Sequence, residues 1–387
     1  METQENIFTR MSWFEQDRVD NAHVMVIGCG ALGNEVLKNL ALFGVGHLVL
    51  VDYDKVEASN LSRSVLFRAK DAEQQRYKIE VAAERLHELN PTLDIQTICG
   101  DVAYDVGLGL IRRMDVIIGC VDNRWARYCI NRLAMRAGKP WVDGGIEALE
   151  GTARVFMPGK NCYACNLGTE GLAEMRRRFS CAHTIRINEA AGRVPTTPIV
   201  ASVIGAVQAQ EAIKLLHREQ LESGELSSLC GRMFCYEGQH LTTKIVAFRA
   251  YDEDCPVHEQ WEPVLSGELT NEMTIKEALT QLRALLHTEH VCISLTTDCF
   301  VDKLIRKEDN REVEVMLPKH RINGERLKVI GDRVEDYYVN EYYEIDAHFP
   351  YPHLTLAQLG LPPQDILLIH TDTDDHYIEL KENRIEK

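Results

Sequence analysis

Residues 23–43 read His23-Val-Met-Val-Ile-Gly28-Cys-Gly30-Ala-Leu-Gly33-Asn-Glu-Val-Leu-Lys-Asn-Leu-Ala-Leu-Phe43. A short apolar run ending at glycine reads as a buried parallel strand. Gly28, Gly30 and Gly33 then space a turn, and apolar residues recur at helical spacing until Gly44 and Gly46. Leu48-Val-Leu-Val-Asp52 is the next strand. Strand, glycine turn, helix and strand within about 30 residues form the unit of a right-handed parallel crossover. The glycines let backbone approach a phosphate, and the helix N-terminus favours its negative charge. Asp52, about 20 residues on, can accept hydrogen bonds from ribose hydroxyls. That much fits NAD, FAD or ATP equally.

The alternation continues outward. A helix is expected over Lys78–Leu89, stopped by Asn90-Pro91, then a strand at Asp94–Ile98. Asp115–Cys120 is a further apolar strand, Arg124–Ala137 a helix closed by Gly138, and strands are expected from Trp141 and from Thr152. Residues 159–193 carry mixed charge and several glycines and read as a long crossover loop. A long helix follows over Pro198–His217, with strands around Arg232–Tyr236 and Thr243–Arg249. The fold class is therefore α/β, doubly wound and Rossmann-like. A boundary is expected after Trp261-Glu-Pro, giving domains 1–261 and 262–387. The second reads as a small α+β domain, with a helix at Thr274–Leu286 and strands at Val291–Leu295, Glu312–Leu317, Asp365–His370 and His376–Leu380.

The 387 residues suit two or three domains, and 45% hydrophobic with 26% charged content is ordinary for a soluble globular chain. No apolar h-region opens the sequence, and no uninterrupted apolar run of about 18 residues occurs, so neither a secretory signal nor a membrane span is expected. Twelve cysteines without a signal point to a reducing, cytoplasmic setting. The net charge of −16 argues against non-specific nucleic-acid binding. Residues 262–387 carry −11 of it, a face suited to a basic partner.

Three further features narrow the chemistry. Arg63 and Lys78 bring positive charge toward a phosphate pocket, and Asp122, just after a strand, sits where such folds bind ligands. A nicotinamide site has little need of two cations and an acid there. A triphosphate with Mg²⁺ does, because charge develops on the phosphate oxygens during transfer. Cys162-Tyr-Ala-Cys165 and Cys255-Pro-Val-His258 supply three thiolates and one imidazole, a common tetrahedral set for structural zinc. Between them Cys181, beside Arg176, Arg177, Arg178 and His183, has a basic setting that favours thiolate.

Over roughly residues 7–258 the chain resembles the E1-like activating enzymes of ubiquitin and ubiquitin-like proteins, with their sulfur-carrier relatives of the MoeB/ThiF type. The matching pieces are Gly28–Gly33, Asp52-Tyr-Asp54, Ser59-Asn60-Leu-Ser-Arg63, Lys78, Cys120-Val-Asp122-Asn123, Cys162–Cys165, the Gly205–Lys214 helix and Cys255–His258. The resemblance implies ATP-dependent adenylation of a partner's C-terminal glycine. Asp52 would hold the ribose, Asn60, Arg63 and Lys78 the phosphates, and Asp122 the Mg²⁺, with Asp54 and Asn123 in the same nucleotide site. Arg10 resembles an arginine inserted into a neighbouring subunit's ATP site. Cys181 resembles the catalytic cysteine of the conjugating branch, although Ala182 and His183 intervene before Thr184-Ile-Arg186. Where relatives carry a second Cys-x-x-Cys, this chain has His258.

Residues Leu354–His370 and the strand after them look like the ubiquitin-fold domain that recruits an E2 in conjugating members. The expected activity is adenylation with MgATP, thioester formation on Cys181 and transfer to an E2. A homodimer is expected because the chain holds one adenylation domain. The alternative is a MoeB/ThiF-type adenylyltransferase that serves a sulfur carrier without E2 transfer. A non-catalytic scaffold and an NAD-dependent oxidoreductase are disfavoured by Arg63, Lys78 and Asp122.

Overall fold

The computed structural model describes residues 7–178, 195–322 and 337–382. The chain divides into two compact units. The first comprises, of the described residues, 7–102, 111–172 and 195–260, and the second comprises 103–110, 173–178, 261–322 and 337–382.

The first unit is built on one eight-stranded sheet. Its strands are β1 (His23–Ile27), β2 (His47–Val51), β3 (Asp94–Ile98), β4 (Val116–Gly119), β5 (Trp141–Glu147), β6 (Glu150–Phe156), β7 (Arg232–Glu237) and β8 (Thr242–Ala247). Their order is β3-β2-β1-β4-β5-β6-β7-β8. From β3 to β5 the pairs run parallel, and from β5 to β8 antiparallel. The order reverses direction at β1 and β4, so a crevice opens beyond their carboxyl ends, the usual ligand position in such sheets.

Helices cover the sheet because its central strands are apolar on both faces. Val24, Val26, Leu48, Leu50, Val116 and Ile118 form one core with α1 (Ala31–Phe43), α2 (Lys78–Leu89) and the long α5 (Pro198–Leu216). The helix α3 (Arg124–Arg136) packs on β4 and β5 with residues outside that core, among them Ile130, which with Trp141 closes around Gly119. The helix α5 is long and apolar enough to pass for a membrane span, which the sequence reading did not register. One side of it is instead buried through Val200, Ala201, Ile204, Ala209, Ala212, Ile213 and Leu215, while Ile199 is exposed, and a Cβ at Gly205 would stand 2.7 Å from Glu35 Cβ on α1. Pro198 at the first turn and the Thr197 hydroxyl, accepting from Val200 N–H at 3.3 Å, fix its start.

One expectation is corrected here. Part of the stretch read as a loop, Tyr163–Arg178, is helical and forms α4, interrupted at Gly168 (φ 68°, ψ 175°). That glycine splits the run into two short pieces and hides its period from a sequence reading.

The second unit is α+β. A five-stranded sheet has the order β14-β10-β15-β16-β9, from β9 (Val264–Thr270), β10 (Cys292–Ser294), β14 (Glu344–Ile345), β15 (Ile366–His370) and β16 (Asp375–Lys381). Its first and last strands, β9 and β16, pair in parallel. The helix α6 (Ile275–Leu286) follows β9 without an intervening hairpin and starts on a Thr274–Glu277 capping box. A smaller sheet holds β12 (Glu312–Pro318), β11 (Phe300–Arg306) and β13 (Tyr337–Tyr342), in that order.

Residues 103–110, from the connection between β3 and β4, pack within this second unit. Leu108 N–H donates to Asp365 Oδ1 at 2.9 Å, Gly109 N–H donates to the Gln364 carbonyl at 2.8 Å, and Tyr104 stacks on His320 at 4.0 Å. Glycine permits this approach, since a Cβ at Gly107 would lie 2.4 Å from the Pro363 carbonyl oxygen.

Candidate nucleotide and metal sites

The turn between β1 and α1 uses its three glycines differently. Gly28 has φ 94°, and a Cβ there would meet the Cys120 carbonyl oxygen at 2.6 Å. A Cβ at Gly33 would lie 2.0 Å from the Gly28 carbonyl oxygen, so helix and turn are in direct contact. At Gly30 a Cβ would meet nothing within 4 Å. Gly30 is the N-cap of α1 and brings no side-chain cap, so the first amides of a 13-residue helix open toward that space.

Asp52, leaving β2, closes the other side. Its Oδ2 accepts from Cys29 N–H at 2.7 Å and its Oδ1 from Asp54 N–H at 2.8 Å. Burial pushes its carboxyl above the ordinary value, and the nearby Lys78 ammonium and the two N–H groups work against that. Lys78, buried at the start of α2, donates from Nζ to Asp54 Oδ2 at 2.6 Å. Tyr53 lies among Asp101, Asp54, Asp122 and Asp52; burial first, then these carboxylates, push its hydroxyl up to about 12. This concentration of negative charge beside a lysine suits a metal-bound phosphate chain better than a bare one.

The remaining residues enter by different routes. Asn60 is buried, and its Oδ1 accepts from Glu57 N–H at 2.9 Å. Arg63 is half-buried, with Nη1 donating to the Ser59 carbonyl at 3.1 Å. Asp122 is exposed at the end of the β4–α3 turn. Asn123 beside it is the N-cap of α3, where its Oδ1 accepts from Ala126 N–H at 2.8 Å and its Nδ2 donates to Asp122 Oδ1 at 3.3 Å. Arg10 stands apart: Phe8, two residues earlier, stacks on Phe43 at 4.7 Å. Phe43 ends α1, about 20 Å along the helix from the glycine turn at 1.5 Å per residue.

Three buried polar residues beneath the site, with the half-buried Arg127, carry no individual signal in the sequence. Asn34 bonds both the glycine turn and Leu66 N–H. Gln208, from α5, donates to the Gly119 carbonyl at 2.9 Å, and a Cβ at Gly144 would collide with it at 2.2 Å. Arg127 Nε donates to Asp143 Oδ1 at 2.9 Å, while Nη2 donates to the carbonyls of Val121 and Gly144 at 2.7 and 2.8 Å. Asp143 is fully buried, with Arg154 Nη1 3.6 Å from its Oδ2. The Arg127–Asp143 pair thus pins the turn that carries Asp122 to the middle of β5. Only an isolated polar residue within an apolar run signals such groups in a sequence.

Cys162, Cys165, Cys255 and His258 converge, with all four ligand atoms within 4.8 Å of one another. The Sγ atoms of Cys162 and Cys165 are 3.6 Å apart, those of Cys162 and Cys255 3.8 Å, and Cys165 Sγ lies 3.2 Å from His258 Nε2. Zinc bound tetrahedrally at about 2.3 Å per sulfur separates its sulfurs by about 3.8 Å, so the set fits zinc. Burial pushes the Cys162 and Cys255 thiols up and holds the His258 imidazole down, in the neutral form that a metal takes. His258 stacks on Tyr251 at 4.4 Å, which fixes its ring. Cys181 and His183 lie outside the described residues, as do the side chains of Arg176, Arg177 and Arg178.

Comparison with known proteins places this geometry in a family. Residues 3–257 match the model of the ThiF family. The chain is 35% identical over 242 residues to the SAMP-activating enzyme E1 of Haloferax volcanii, covering 62% of this chain and 82% of that protein. It is 31% identical over 251 residues to the sulfur carrier protein adenylyltransferase of Thermus thermophilus, covering 62% and 84%. To the adenylyltransferase and sulfurtransferase MOCS3 of Mus musculus it is 33% identical over 243 residues, and there it spans only 48% of the relative's length against 62% of its own. The crystal structure of E. coli MccB shares the fold, with a TM-score of 0.52 at 21% identity over 66% of this chain and 73% of that one. By sequence and by fold, the chain belongs to the ThiF family.

Proposed function

We propose that this protein is an E1-like activating enzyme that adenylates the C-terminal glycine of a ubiquitin-like protein with MgATP. The observation that carries this reading is the joint arrangement of the open Gly30 amides, Asp52 hydrogen-bonded to the turn, and the buried Lys78 paired with Asp54. The names of the relatives support it: one is an activating enzyme E1 and another a sulfur carrier protein adenylyltransferase.

Asp52 retains lone pairs for ribose hydroxyls beyond those its two N–H partners use. The amides at Gly30 face the phosphates, with Lys78 and Arg63 neutralising the charge that develops on them. Asp122, on the turn that Arg127 pins, would hold Mg²⁺, which would supply positive charge against that developing on the phosphates. The terminal carboxylate oxygen of the partner bonds to the α-phosphorus, and the bond to pyrophosphate breaks. The Cys181 thiolate then attacks the acyl carbon and AMP leaves, giving a thioester for an E2 docked on the acidic second unit. The parallel pairing of β9 with β16 beside one helix supports reading that unit as ubiquitin-fold-like. Zinc at Cys162, Cys165, Cys255 and His258 is structural in this scheme. Arg10, at the far end of α1 from its own glycine turn, serves the site of a second copy in a homodimer.

A second reading stops at the adenylate and passes it to sulfur chemistry. The sulfur-carrier and sulfurtransferase names among the relatives favour it. ATP–pyrophosphate exchange driven by a candidate ubiquitin-like protein tests the shared first step, and no exchange with any candidate overturns it. A thiol-sensitive adduct that is absent in Cys181→Ala, with exchange retained, supports the first reading. An adduct that persists in that variant removes Cys181 from the mechanism.

A further inference from the structure

We infer that Asn34 is a positioning residue that sets the distance between the glycine turn and the loop bearing Arg63, and so the grip on a nucleotide's phosphates. This rests on the nucleotide site proposed above. Asn34 is fully buried in the first turn of α1, among Leu32, Val36 and Leu37 of the same core. Its amide is satisfied on both sides. Nδ2 donates to the carbonyls of Cys29 at 2.8 Å and Gly30 at 2.9 Å, and Oδ1 accepts from Leu66 N–H at 2.8 Å.

The two carbonyls belong to the middle of the phosphate-facing turn. Leu66 is three residues beyond Arg63, in a chain of tight turns in which Arg63 N–H donates to Asn60 and Phe67 N–H to Ser64. One planar group therefore spans the two loops that would hold the phosphates. Aspartate could accept from Leu66 but would set a second oxygen against two carbonyls. Leucine could do neither, and glutamine is one methylene longer. A buried amide in an apolar core is costly unless satisfied, so a residue with this set of bonds acts on placement as well as packing. Asp52 and Lys78 make no bond to Asn34: Asp52 shares Cys29 with it but is also held from its own strand end by Asp54 N–H, and Lys78 bonds the Asp54 carboxylate. The consequence is selective: phosphate binding depends on Asn34 more than ribose binding does.

Titration calorimetry of the full chain with MgATP, and with adenosine by competition, tests this. Asn34→Ala is expected to weaken MgATP about tenfold, the effect of one buried hydrogen bond, and adenosine less than about twofold. In an Arg63→Ala background the same change should cost less than about threefold, because its effect is delivered through Arg63. The near-isosteric Asn34→Asp should show the same selectivity and keeps the test open if the alanine variant does not fold. Equal losses for both ligands, or full additivity with Arg63→Ala, would overturn the inference. Wild-type protein that binds no MgATP would instead sink the nucleotide reading itself.

Discussion

Lys78 Nζ lies 2.6 Å from Asp54 Oδ2, and the backbone N–H of Lys78 donates to the Asp54 carbonyl at 2.9 Å. The two contacts fasten the start of α2 to the exit of β2, and they park a buried ammonium beside an exposed carboxylate that can release it. A phosphate arriving at the turn offers Lys78 a better partner without moving the helix.

Lys78→Met is expected to lower pyrophosphate exchange about hundredfold or more, the scale for a lost charge-stabilising donor. It should also shift a pH profile. Burial raises the Asp52 carboxyl and Lys78 lowers it. Asp52 protonates as pH falls through its raised value, and nucleotide affinity falls with it, so the variant should lose affinity at a higher pH than the wild type. For folding the sign is opposite: a raised carboxyl contributes stability below its unfolded value that is lost as pH rises through the folded one. An unchanged acid limb in calorimetric MgATP titrations would refute the coupling.

The glycine turn offers a contrast between neighbouring positions. Gly33→Ala puts a Cβ 2.0 Å from a backbone oxygen and should destabilise the protein by about 3 kcal/mol, at the upper end for overpacking. Gly30→Ala meets open space and should change stability by less than about 0.5 kcal/mol. Its methyl would stand where a phosphate approaches, so MgATP binding should weaken while the melting temperature holds. A Gly30→Ala protein with unaltered affinity would move the phosphates elsewhere.

Elemental analysis should find one zinc per chain. Cys255→Ser should lose it and melt at lower temperature, whereas His258→Cys should keep it, since thiolate and imidazole are equivalent ligands for tetrahedral zinc. Chelation should lower the wild-type melting temperature and leave Cys255→Ser unmoved. Full zinc occupancy in Cys255→Ser would count against the four-ligand assignment.

Arg127→Met should cost about 2–3 kcal/mol, because it leaves the fully buried carboxylate of Asp143 with Arg154 Nη1, at 3.6 Å, as its remaining cation. Arg127→Met with Asp143→Leu should recover much of that loss, which a thermal double-mutant cycle would report. A double variant no more stable than Arg127→Met would mean that the bonds to the Val121 and Gly144 carbonyls, not the ion pair, dominate.

Much of the first unit is legible from period alone. Lys78–Leu89 begins and ends where its apolar spacing and Asn90-Pro91 place it, and β1, β2 and β4 follow from short apolar runs near glycine. The metal quartet is legible from the spacing of its two pairs. What escaped has a common cause: polar residues whose role is set by distant partners. Asn34 and Gln208 look like interruptions of apolar helices. The strand β11 was missed because Asp302 and Lys303 break its alternation, although Asp302 is buried and accepts from Asn340, Tyr342 and Tyr351. Residues 103–110 carry no signal that their partners lie near Asp365.

That last placement has a consequence for the order of synthesis. Leu108 leaves the ribosome 257 residues before Asp365, its hydrogen-bond partner. At about 5–20 residues per second the segment waits roughly 13–50 s for the chain that shelters it. During that interval Leu108 and Leu110, both buried in the finished protein, lack that shelter. The nascent chain therefore carries an apolar loop between β3 and β4 whose hydrogen-bond partners arrive only with the C-terminal residues, and a ribosome stalled before Asp365 leaves those bonds unmade.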